Sequence, residues 1–216
     1  MKRRHFIEVA AGTCLTLTGS MAVSSAAAAT QCGMTAQGPV CRSQVNFAEF
    51  HQTAYQNQRS SQWCWAACIA MVFAFNDHPV SQQRIVREAY GSLINWPAPG
   101  MVIARALQRR WRDDDGDEFQ VRIDGLYDSG AGILATDNAR IVRALDQDRP
   151  LIIGARGHAM VLTALDYQHF QNSIVPKAAG VFDPFPGRGP RGLMPDELVP
   201  THQGGSLQFI AGFRID

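Results

Sequence analysis

Residues 58–75 read QRSSQWCWAACIAMVFAF, and this stretch decides the fold. From Trp63 to Phe75 the side chains are almost all apolar, and neither Gly nor Pro interrupts them. The run is too long for a typical strand, and its alanines favour a helix. Because such a helix is apolar on nearly every side, we expect it to lie buried in the core.

Outside this run, the first part of the chain predicts more helices. Ser81 can cap a second helix that ends at Gly91. The spacing of apolar residues predicts a third helix over residues 101–111, and Asp137 can cap a fourth. Residues 30–54 contain glycines and a proline but no sustained period, and they are interpreted as a lead-in segment with room for one short helix.

After Pro150 the pattern changes to short β-like segments separated by turn residues. These segments are residues 151–153, 158–165, 180–183 and 207–215. Residues 119–123 alternate between apolar and polar and can add an edge strand, whereas residues 187–192 predict a loop. Helices followed by antiparallel strands indicate an α+β protein, with a helical subdomain at about 55–149 packed on a sheet subdomain at about 150–216.

The composition fits one domain with a sizeable core. The chain has 216 residues, of which 46% are hydrophobic and 18% are charged, so wholesale disorder is excluded. The formal net charge is +1, and the chain has no long run of Lys and Arg. We therefore expect no nucleic-acid partner. The interpretation is a soluble globular enzyme or binding domain that acts as a monomer.

Residues 1–29 have the pattern of a secretory signal peptide. Lys2-Arg3-Arg4 opens the chain, a weakly apolar stretch follows, and a run of alanines at 26–29 ends it. Threonine and serine dilute this stretch too much for a membrane span, so we expect no stable membrane insertion of the mature chain. The paired arginines also fit a twin-arginine signal, and both routes stay open. Either route predicts cleavage after Ala29 and an exported protein, periplasmic or secreted.

Export makes the cysteines informative, because unpaired thiols need an explanation in an oxidising compartment. With the signal removed, the cysteines that remain are Cys32, Cys41, Cys64 and Cys68. Cys32 and Cys41 lie in the lead-in segment and can close a small loop. Cys64 and Cys68 would then be left without a partner.

Cys64 is the candidate nucleophile, and His158 is its candidate base. Cys64 falls in the first turn of the predicted buried helix, where unpaired N–H groups and the positive end of the helix dipole favour a thiolate over a thiol. A nucleophile of this kind needs a general base. His158 follows Gly157 at the start of a predicted strand, where the glycine lets another segment come close.

A third group must orient the imidazole, and hairpin geometry selects it. If the strand from His158 turns near Gln171 and returns, residues equally far from the turn face each other. Asp183 lies 12 residues after Gln171 and His158 lies 13 before it, so we expect the two side by side. Asp166 is eight residues along the same strand, roughly 26 Å away at ~3.3 Å per residue. The sequence therefore favours Asp183.

Acyl transfer also needs hydrogen-bond donors for the developing oxyanion. The backbone N–H of Cys64 is one candidate. The side-chain amide of Gln58, six residues upstream on the entering loop, is the other. Gln62 lies only two residues before the nucleophile, so we expect it to cap the helix or to face solvent.

The motif QRSSQWCWA at residues 58–66, followed by Gly157-His158 and by Asp183-Pro184, resembles the papain-like cysteine proteases. It is most similar to their compact bacterial exported branch, in which Trp-Cys-Trp-Ala-Ala begins the central helix, Gly-His opens a strand and Asp-Pro follows. The resemblance spans about residues 55–216, nearly the whole mature chain. It implies a papain-like fold with two subdomains.

The resemblance also implies roles for the site residues. Cys64 would be the nucleophile and His158 the general base and acid, with Asp183 as the orienting carboxylate and Gln58 as the oxyanion donor. The implied activity is hydrolysis of peptide bonds through a thioester acyl-enzyme, on a polypeptide substrate bound in extended form. No metal or organic cofactor is implied. The lead-in segment is too short to be the inhibitory pro-region of plant and lysosomal relatives.

Two other interpretations stay open. The same triad serves amidases, peptidoglycan hydrolases and transpeptidases, so the bond that is cut is not determined. Alternatively, Cys64 and Cys68 are two zinc ligands. His158 or His169 would then complete the site of a non-catalytic binding module, stabilised by zinc or disulfides. By itself, Cys68 is interpreted as a small buried hydrophobe, and the acidic residues 113–118 as a solvated turn.

Overall fold

The computed structural model describes residues 29–36, 38–135 and 137–216, and the predicted signal peptide lies outside them apart from Ala29. Helices α1–α5 are Phe47–Glu49, Cys64–Phe75, Gln82–Tyr90, Gly100–Leu107 and Asn138–Asp146. Strands β1–β9 are Ala29–Thr35, Gly38–Gln44, Arg110–Arg112, Glu118–Asp128, Leu151–Ala155, His158–Phe170, Ser173–Asp183, Gly189–Gly192 and Leu207–Ile215. Short 3₁₀ turns lie at Ser129–Ala131, Pro195–Leu198 and Thr201–Gln203.

Helix α2 is the buried helix that the apolar run predicts. Every one of its residues is buried except Cys64 and Ala74, which are partly buried. Phe73 packs edge-on against Trp111 and Phe119, with ring centroids 5.4 and 5.0 Å away. Burying a large apolar side chain contributes ~1.5–3 kcal/mol. Helix α2 is therefore the main packing element between the other helices and the sheet.

The two polar residues predicted to cap helices act differently. Asp137 caps α5, since its carboxylate accepts the N–H of Arg140 at 2.9 Å. Ser81 precedes α3, but its side chain makes no capping bond, and Gly91 ends that helix in the left-handed conformation (φ 75°). In the described part of the chain, no helix has both the length and the apolar character that crossing a membrane requires.

The strands of the described residues form one antiparallel sheet. Its order is β1-β2-β6-β5-β9-β4-β3, and β7 and β8 join it at β6. Strand β6 is the centre of this arrangement, because it pairs with β5 near its start, with β2 near its end, and with β7 along its other edge. The chain is therefore an α+β protein, as the sequence predicts, and β6 connects the site to the rest of the sheet.

The lead-in segment is a disulfide-closed hairpin followed by a short helix. In the hairpin of β1 and β2, Cys32 lies opposite Cys41 and the two form a disulfide, which is the small loop that the sequence suggests. Strand β2 then pairs with β6. Asn46 caps α1 by accepting the N–H of Glu49, and α1 continues as a π-helical turn, Phe50–Ala54.

The third helix is shorter than the sequence predicts. Helix α4 ends at Leu107, and Trp111 lies in β3. Trp111 is buried and its indole N–H donates to the Ala106 carbonyl at 3.0 Å, whereas its neighbours Arg110 and Arg112 are exposed, which is the alternation of a strand. Strands β3 and β4 thus join the sheet from within the part predicted to be helical, and β3 covers β4 at the edge.

The prediction of a loop over residues 187–192 is wrong from Gly189 onward. Gly189–Gly192 forms β8, which pairs with the end of β7 so that Gly189 lies opposite Asp183. Glycine is needed at 189, where φ is +58° and a Cβ would stand 3.5 Å from the Tyr55 hydroxyl. This strand carries Arg191 to the site.

Candidate active site

Cys64 is the first residue of α2, and its surroundings hold it in place. The indole N–H of Trp63 donates to the Ile94 carbonyl at 2.7 Å, and that of Trp65 donates to the Trp96 carbonyl at 3.2 Å. These bonds tie the start of the helix to the loop before α4. Trp63 offers no side-chain acceptor at the N-cap, and the backbone N–H of Trp65 hydrogen-bonds to the Cys64 sulfur. The helix terminus thus supplies donors to the sulfur.

A tight turn places His158 at the start of β6. Strands β5 and β6 are joined by Arg156 and Gly157, both with positive φ (53° and 73°). Two-residue turns of this kind match the twist of antiparallel strands. The N–H of Gly157 donates to Gln208 Oε1 at 2.7 Å, which anchors the turn to β9. Because the turn is short and anchored, the first side chain of β6 has a defined direction.

The structure brings Asp183 to His158. The two are diagonal neighbours on one face of the β6–β7 pair, and His158 Nε2 lies 2.6 Å from Asp183 Oδ1. Asp183 is fully buried, and its Oδ1 also accepts the N–H of Phe185 at 2.9 Å. Asp166, the rival carboxylate, is bound instead to Arg42, whose Nη1 lies 3.1 Å from it.

The imidazole of His158 lies beside the Cys64 thiol: both side chains line the same cleft, and His158 acts on the pKa of the thiol. Burial raises the pKa of the Cys64 thiol. Interaction with His158, the backbone N–H of Ala159, the charge of His158 and the N–H of Trp65 together outweigh burial, so the pKa lies below its ordinary value. The balance favours a thiolate at Cys64.

His158 and Asp183 form the charged partner of that thiolate. Burial lowers the pKa of the imidazole, but the hydrogen bonds and charges of Asp183 and Cys64 raise it to about 9. Burial raises the pKa of the Asp183 carboxyl, but His158, the N–H of Phe185 and Arg191 hold it at about 2. At neutral pH His158 is therefore an imidazolium and Asp183 a carboxylate, and the imidazolium charge helps to lower the pKa of the Cys64 thiol.

The lowered pKa of Cys64 predicts early alkylation. We expect the rate of labelling by iodoacetamide, which reacts with thiolates, to reach half of its maximum below the pH of ~8.5 that is typical of an unperturbed cysteine. The measurement is the rate of Cys64 modification by mass spectrometry as a function of pH. In His158→Ala, burial still raises the pKa of Cys64, but the interaction with His158, which is the largest effect that lowers this pKa, is lost. The pH of half-maximal labelling should therefore rise. An identical profile in both proteins would contradict the ion pair.

Two further charged residues hold Asp183, and the sequence did not reveal them. Arg191 Nε donates to Asp183 Oδ2 at 3.0 Å, and its two Nη atoms donate to the Glu197 carboxylate at 2.8 and 3.0 Å. Glu197 is buried, and the bond from Arg191 lowers the pKa of its carboxyl. Arg191 is thus a clamp between two buried carboxylates. In the sequence it stands among glycines and prolines and looks like a loop residue.

This clamp predicts a large loss of stability when it is removed. Arg191→Met keeps the approximate length of the side chain, but it leaves Glu197 without the cation bound to it and removes one of the cations bound to Asp183, which should cost about 3–5 kcal/mol in the free energy of unfolding. Arg42→Met is the matched control, because Arg42 is 48% exposed and its bond to Asp166 should contribute about 0–1 kcal/mol. Urea unfolding followed by tryptophan fluorescence measures both, and equal losses would contradict the clamp.

Gln58 is near the site, but its amide does not point to the sulfur. The side chain is buried, and its Nε2 donates to the carbonyls of Ser60 and Ser61, both at 3.0 Å. Its Oε1 has no hydrogen-bond partner. The donor role of Gln58 therefore stays a prediction. Gln62 is exposed, as the sequence predicts, and its backbone N–H donates to Asn95.

Cys68 lies one helical turn further into the core. It is fully buried, and burial, followed by the charges of Cys64 and Asp183, raises its pKa well above its ordinary value. A buried, protonated thiol is inert. His169 lies near the other end of β6, against Tyr167. Within the described ranges, no group of three or more His, Cys, Asp and Glu side chains is placed to hold a metal ion.

A cleft of about 550 Å³ opens beside Cys64 and His158. One wall is the loop that leads into α4, and the other is the end of β4 with the 3₁₀ turn that follows it. Strands β5, β6 and β9 supply the remaining contacts. The other lining residues are Trp65, Pro97, Ala98, Pro99, Gly100, Met101, Ile103, Asp128, Ser129, Gly130, Ala131, Gly154, Gly157, Ala159, Gln208 and Phe209. The thiol is therefore accessible from a space large enough for several residues of a peptide.

No curated protein matches the sequence significantly. One similar solved structure is a double glycine motif protease from an AMS/PCAT transporter in complex with the leader peptide, 17% identical, with a TM-score of 0.42, covering 76% of this chain and 91% of that one. Another is UfSP from C. elegans, 15% identical, with a TM-score of 0.42, covering 85% of this chain and 34% of that one.

A model of the Peptidase_C39-like family matches residues 50–185. The match covers more than half of the chain and includes Cys64, His158 and Asp183. It confirms the resemblance to cysteine proteases that the motifs indicate. The chain belongs to the Peptidase_C39-like family and is a cysteine-type peptidase.

Proposed function

We propose that this chain is an exported peptidase that hydrolyses peptide bonds through Cys64, His158 and Asp183. One observation carries the proposal: the ring of His158 is bound to buried Asp183 at 2.6 Å, and it lines the same cleft as Cys64, whose pKa it lowers. Covalent acyl transfer needs a nucleophile next to its base, and an orienting group next to that base.

The reaction follows from the charges of these groups. The Cys64 thiolate attacks the carbonyl carbon of the scissile bond, and the carbonyl oxygen becomes an oxyanion. The His158 imidazolium gives its proton to the leaving amine as the C–N bond breaks, which leaves a thioester. Neutral His158 then takes a proton from water, whose oxygen attacks the thioester. Collapse of this second intermediate breaks the C–S bond, releases the acid and restores the Cys64 thiolate beside the His158 imidazolium, whose charge Asp183 stabilises.

For the oxyanion we propose two donors, the backbone N–H of Cys64 and the amide of Gln58. Gln58 must give up one of its bonds to the carbonyls of Ser60 and Ser61 when substrate binds. Catalytic hydrogen bonds often form only in the complex. The backbone N–H of Gln58 donates to the Pro184 carbonyl at 2.8 Å, and this bond, which keeps Gln58 next to Asp183, supports the role.

We further propose that the substrate is a polypeptide bound in extended form by a monomer, since the cleft beside Cys64 is open. Export is supported by two features. Residues 1–29 have the composition of a signal peptide, which would be cleaved after Ala29. The Cys32–Cys41 disulfide is a bond that persists in oxidising compartments, which fits the periplasm or secretion.

The test is digestion of a diverse peptide library by residues 30–216, read by mass spectrometry. We expect new termini at defined bonds with the wild type and none with Cys64→Ala. An intact library, despite labelling of Cys64 by a thiol-directed probe, would overturn peptide hydrolysis. Products in which peptides have been joined to added amines would indicate a transpeptidase instead.

A further inference from the structure

The cleft contains one carboxylate that the proposed reaction does not use. Asp128 ends β4 and lines the same cleft as Cys64 and His158, although only 4% of the residue is exposed. No Lys, Arg or Glu and no second Asp lines this cleft in the described residues. Apart from Cys64 and His158, Asp128 is therefore the one ionisable side chain in the lining of this cleft among the described residues.

The two oxygens of Asp128 have different surroundings. Oδ1 accepts the backbone N–H groups of Gly130 and Ala131, at 3.0 and 3.2 Å, and so holds the 3₁₀ turn after β4. Oδ2 has no hydrogen-bond or ion-pair partner among the described residues. It is also not one of the described side-chain oxygens that are both unpaired and fully shielded from solvent. A carboxylate oxygen in a largely buried position is costly without a donor. Oδ2 is thus an acceptor still open to the cleft.

Gly100, the first residue of α4, lets the start of that helix pack directly against Oδ2. A Cβ at this position would lie 2.3 Å from Asp128 Oδ2 and 2.6 Å from a ring carbon of Phe209, so any other residue would clash. The carboxylate is therefore held in place by its turn and by α4, while Oδ2 has no hydrogen-bond partner among the described residues.

We propose that Asp128 is a specificity residue that selects substrates with a Lys or Arg side chain close to the scissile bond. The proposal rests on the proposed peptidase function. An ammonium or guanidinium group supplies the donor that Oδ2 lacks, and charge-assisted hydrogen bonds of this kind are about twice as strong as neutral ones. Because the turn fixes Oδ1, Oδ2 is already in position before the cationic side chain binds. Binding therefore does not require the loss of entropy that ordering the acceptor would cost.

The experiment uses blocked peptides of one fixed sequence in which Arg or citrulline, its neutral analogue, occupies each position in turn. At one position we expect the wild type to prefer Arg by about 10-fold or more in kcat/KM. In Asp128→Asn, whose amide oxygen can still accept the N–H groups of Gly130 and Ala131, the Arg-to-citrulline ratio should fall to about one. Asp166→Asn removes a carboxylate outside the cleft and should keep the ratio.

Calorimetry of the same peptides with Cys64→Ala measures the preference for Arg over citrulline in binding alone, without turnover. A preference in binding but no cleavage by the wild type would leave the role of Asp128 intact and overturn the peptidase function. A ratio near one in the wild type, or a ratio that survives Asp128→Asn, would overturn the selection of basic residues. Equal losses on Arg and citrulline peptides in Asp128→Asn would assign Asp128 a purely structural role in the turn.

Discussion

Cys64→Ala should abolish peptide cleavage, with a loss in kcat/KM on the order of 10⁴ or more, since residues that act as one catalytic unit cost nearly the whole acceleration when one is removed. The physical reason is that, among the free cysteines of the described residues, only Cys64 combines a lowered pKa with access to the cleft. The measurement is hydrolysis of peptides selected from the library. Labelling by a thiol-directed epoxide should disappear together with turnover.

The matched control is Cys68→Ala, the same substitution one helical turn away. Cys68 is sealed and its pKa is raised well above its ordinary value, so this variant should lose some stability, about 1–3 kcal/mol, but keep turnover and labelling. Equal loss of activity from both substitutions, together with stoichiometric zinc in the purified protein, would favour the zinc-binding module over the peptidase.

Asp183→Asn has the second largest expected effect, a fall in kcat of about 10²- to 10⁴-fold. The amide has the same shape but no charge, and Arg191 and the N–H of Phe185 compete with His158 for its single oxygen. If the amide NH₂ faces the ring, His158 adopts the wrong tautomer. The loss of the carboxylate also lowers the pKa of His158 from about 9, so the alkaline limb of kcat/KM should move to lower pH.

Asp166→Asn is the control for this prediction, because it changes the same residue type on the neighbouring strand. Asp166 is bound to the half-exposed Arg42, so turnover should stay within about twofold of the wild type. A greater loss in Asp166→Asn than in Asp183→Asn would show that the orienting carboxylate has been assigned wrongly. An alkaline limb that does not move in Asp183→Asn would contradict the coupling of Asp183 to His158.

The position of Asp183 could be predicted by counting because two irregularities in the β6–β7 pairing cancel. The register shifts by one residue after Leu162 and shifts back after Asp166. Val161 consequently lies opposite Phe182, as an uninterrupted hairpin would place it. A single bulge would have turned Asp183 to the other face of the sheet, away from the imidazole.

Helix α2 and the position of Cys64 were accessible from sequence because their signals are local. A long apolar run without Gly or Pro leaves little choice other than a buried helix. The prediction that the third helix extends to Trp111 was wrong because the spacing of Trp111 from Leu107 fits a helical face as well as it fits a turn into β3. What decides between them is pairing with β4, which is a tertiary contact.

Arg191 and Asp128 could not be found from sequence for a different reason. Both are charged residues of a type that is usually exposed, and their roles depend on burial that distant segments create. Arg191 is enclosed by Asp183 and Glu197, and Asp128 is enclosed by α4 and its own turn. For Gln58 the sequence predicts the loop correctly, but the direction of the amide depends on the carbonyls that the loop presents.

The described part of the molecule holds sulfur in two oxidation states. Cys32 and Cys41 are joined in the β1–β2 hairpin, whereas Cys64 and Cys68 are reduced. Conditions that oxidise Cys32 and Cys41 also oxidise a thiolate that is accessible from the cleft, as Cys64 is. Cys68 is too deeply buried to act as a resolving thiol. Peroxide would therefore carry Cys64 to sulfenic acid and then irreversibly to sulfinic acid. With the export that we propose, the period over which the enzyme stays active would depend on small thiols supplied by its environment.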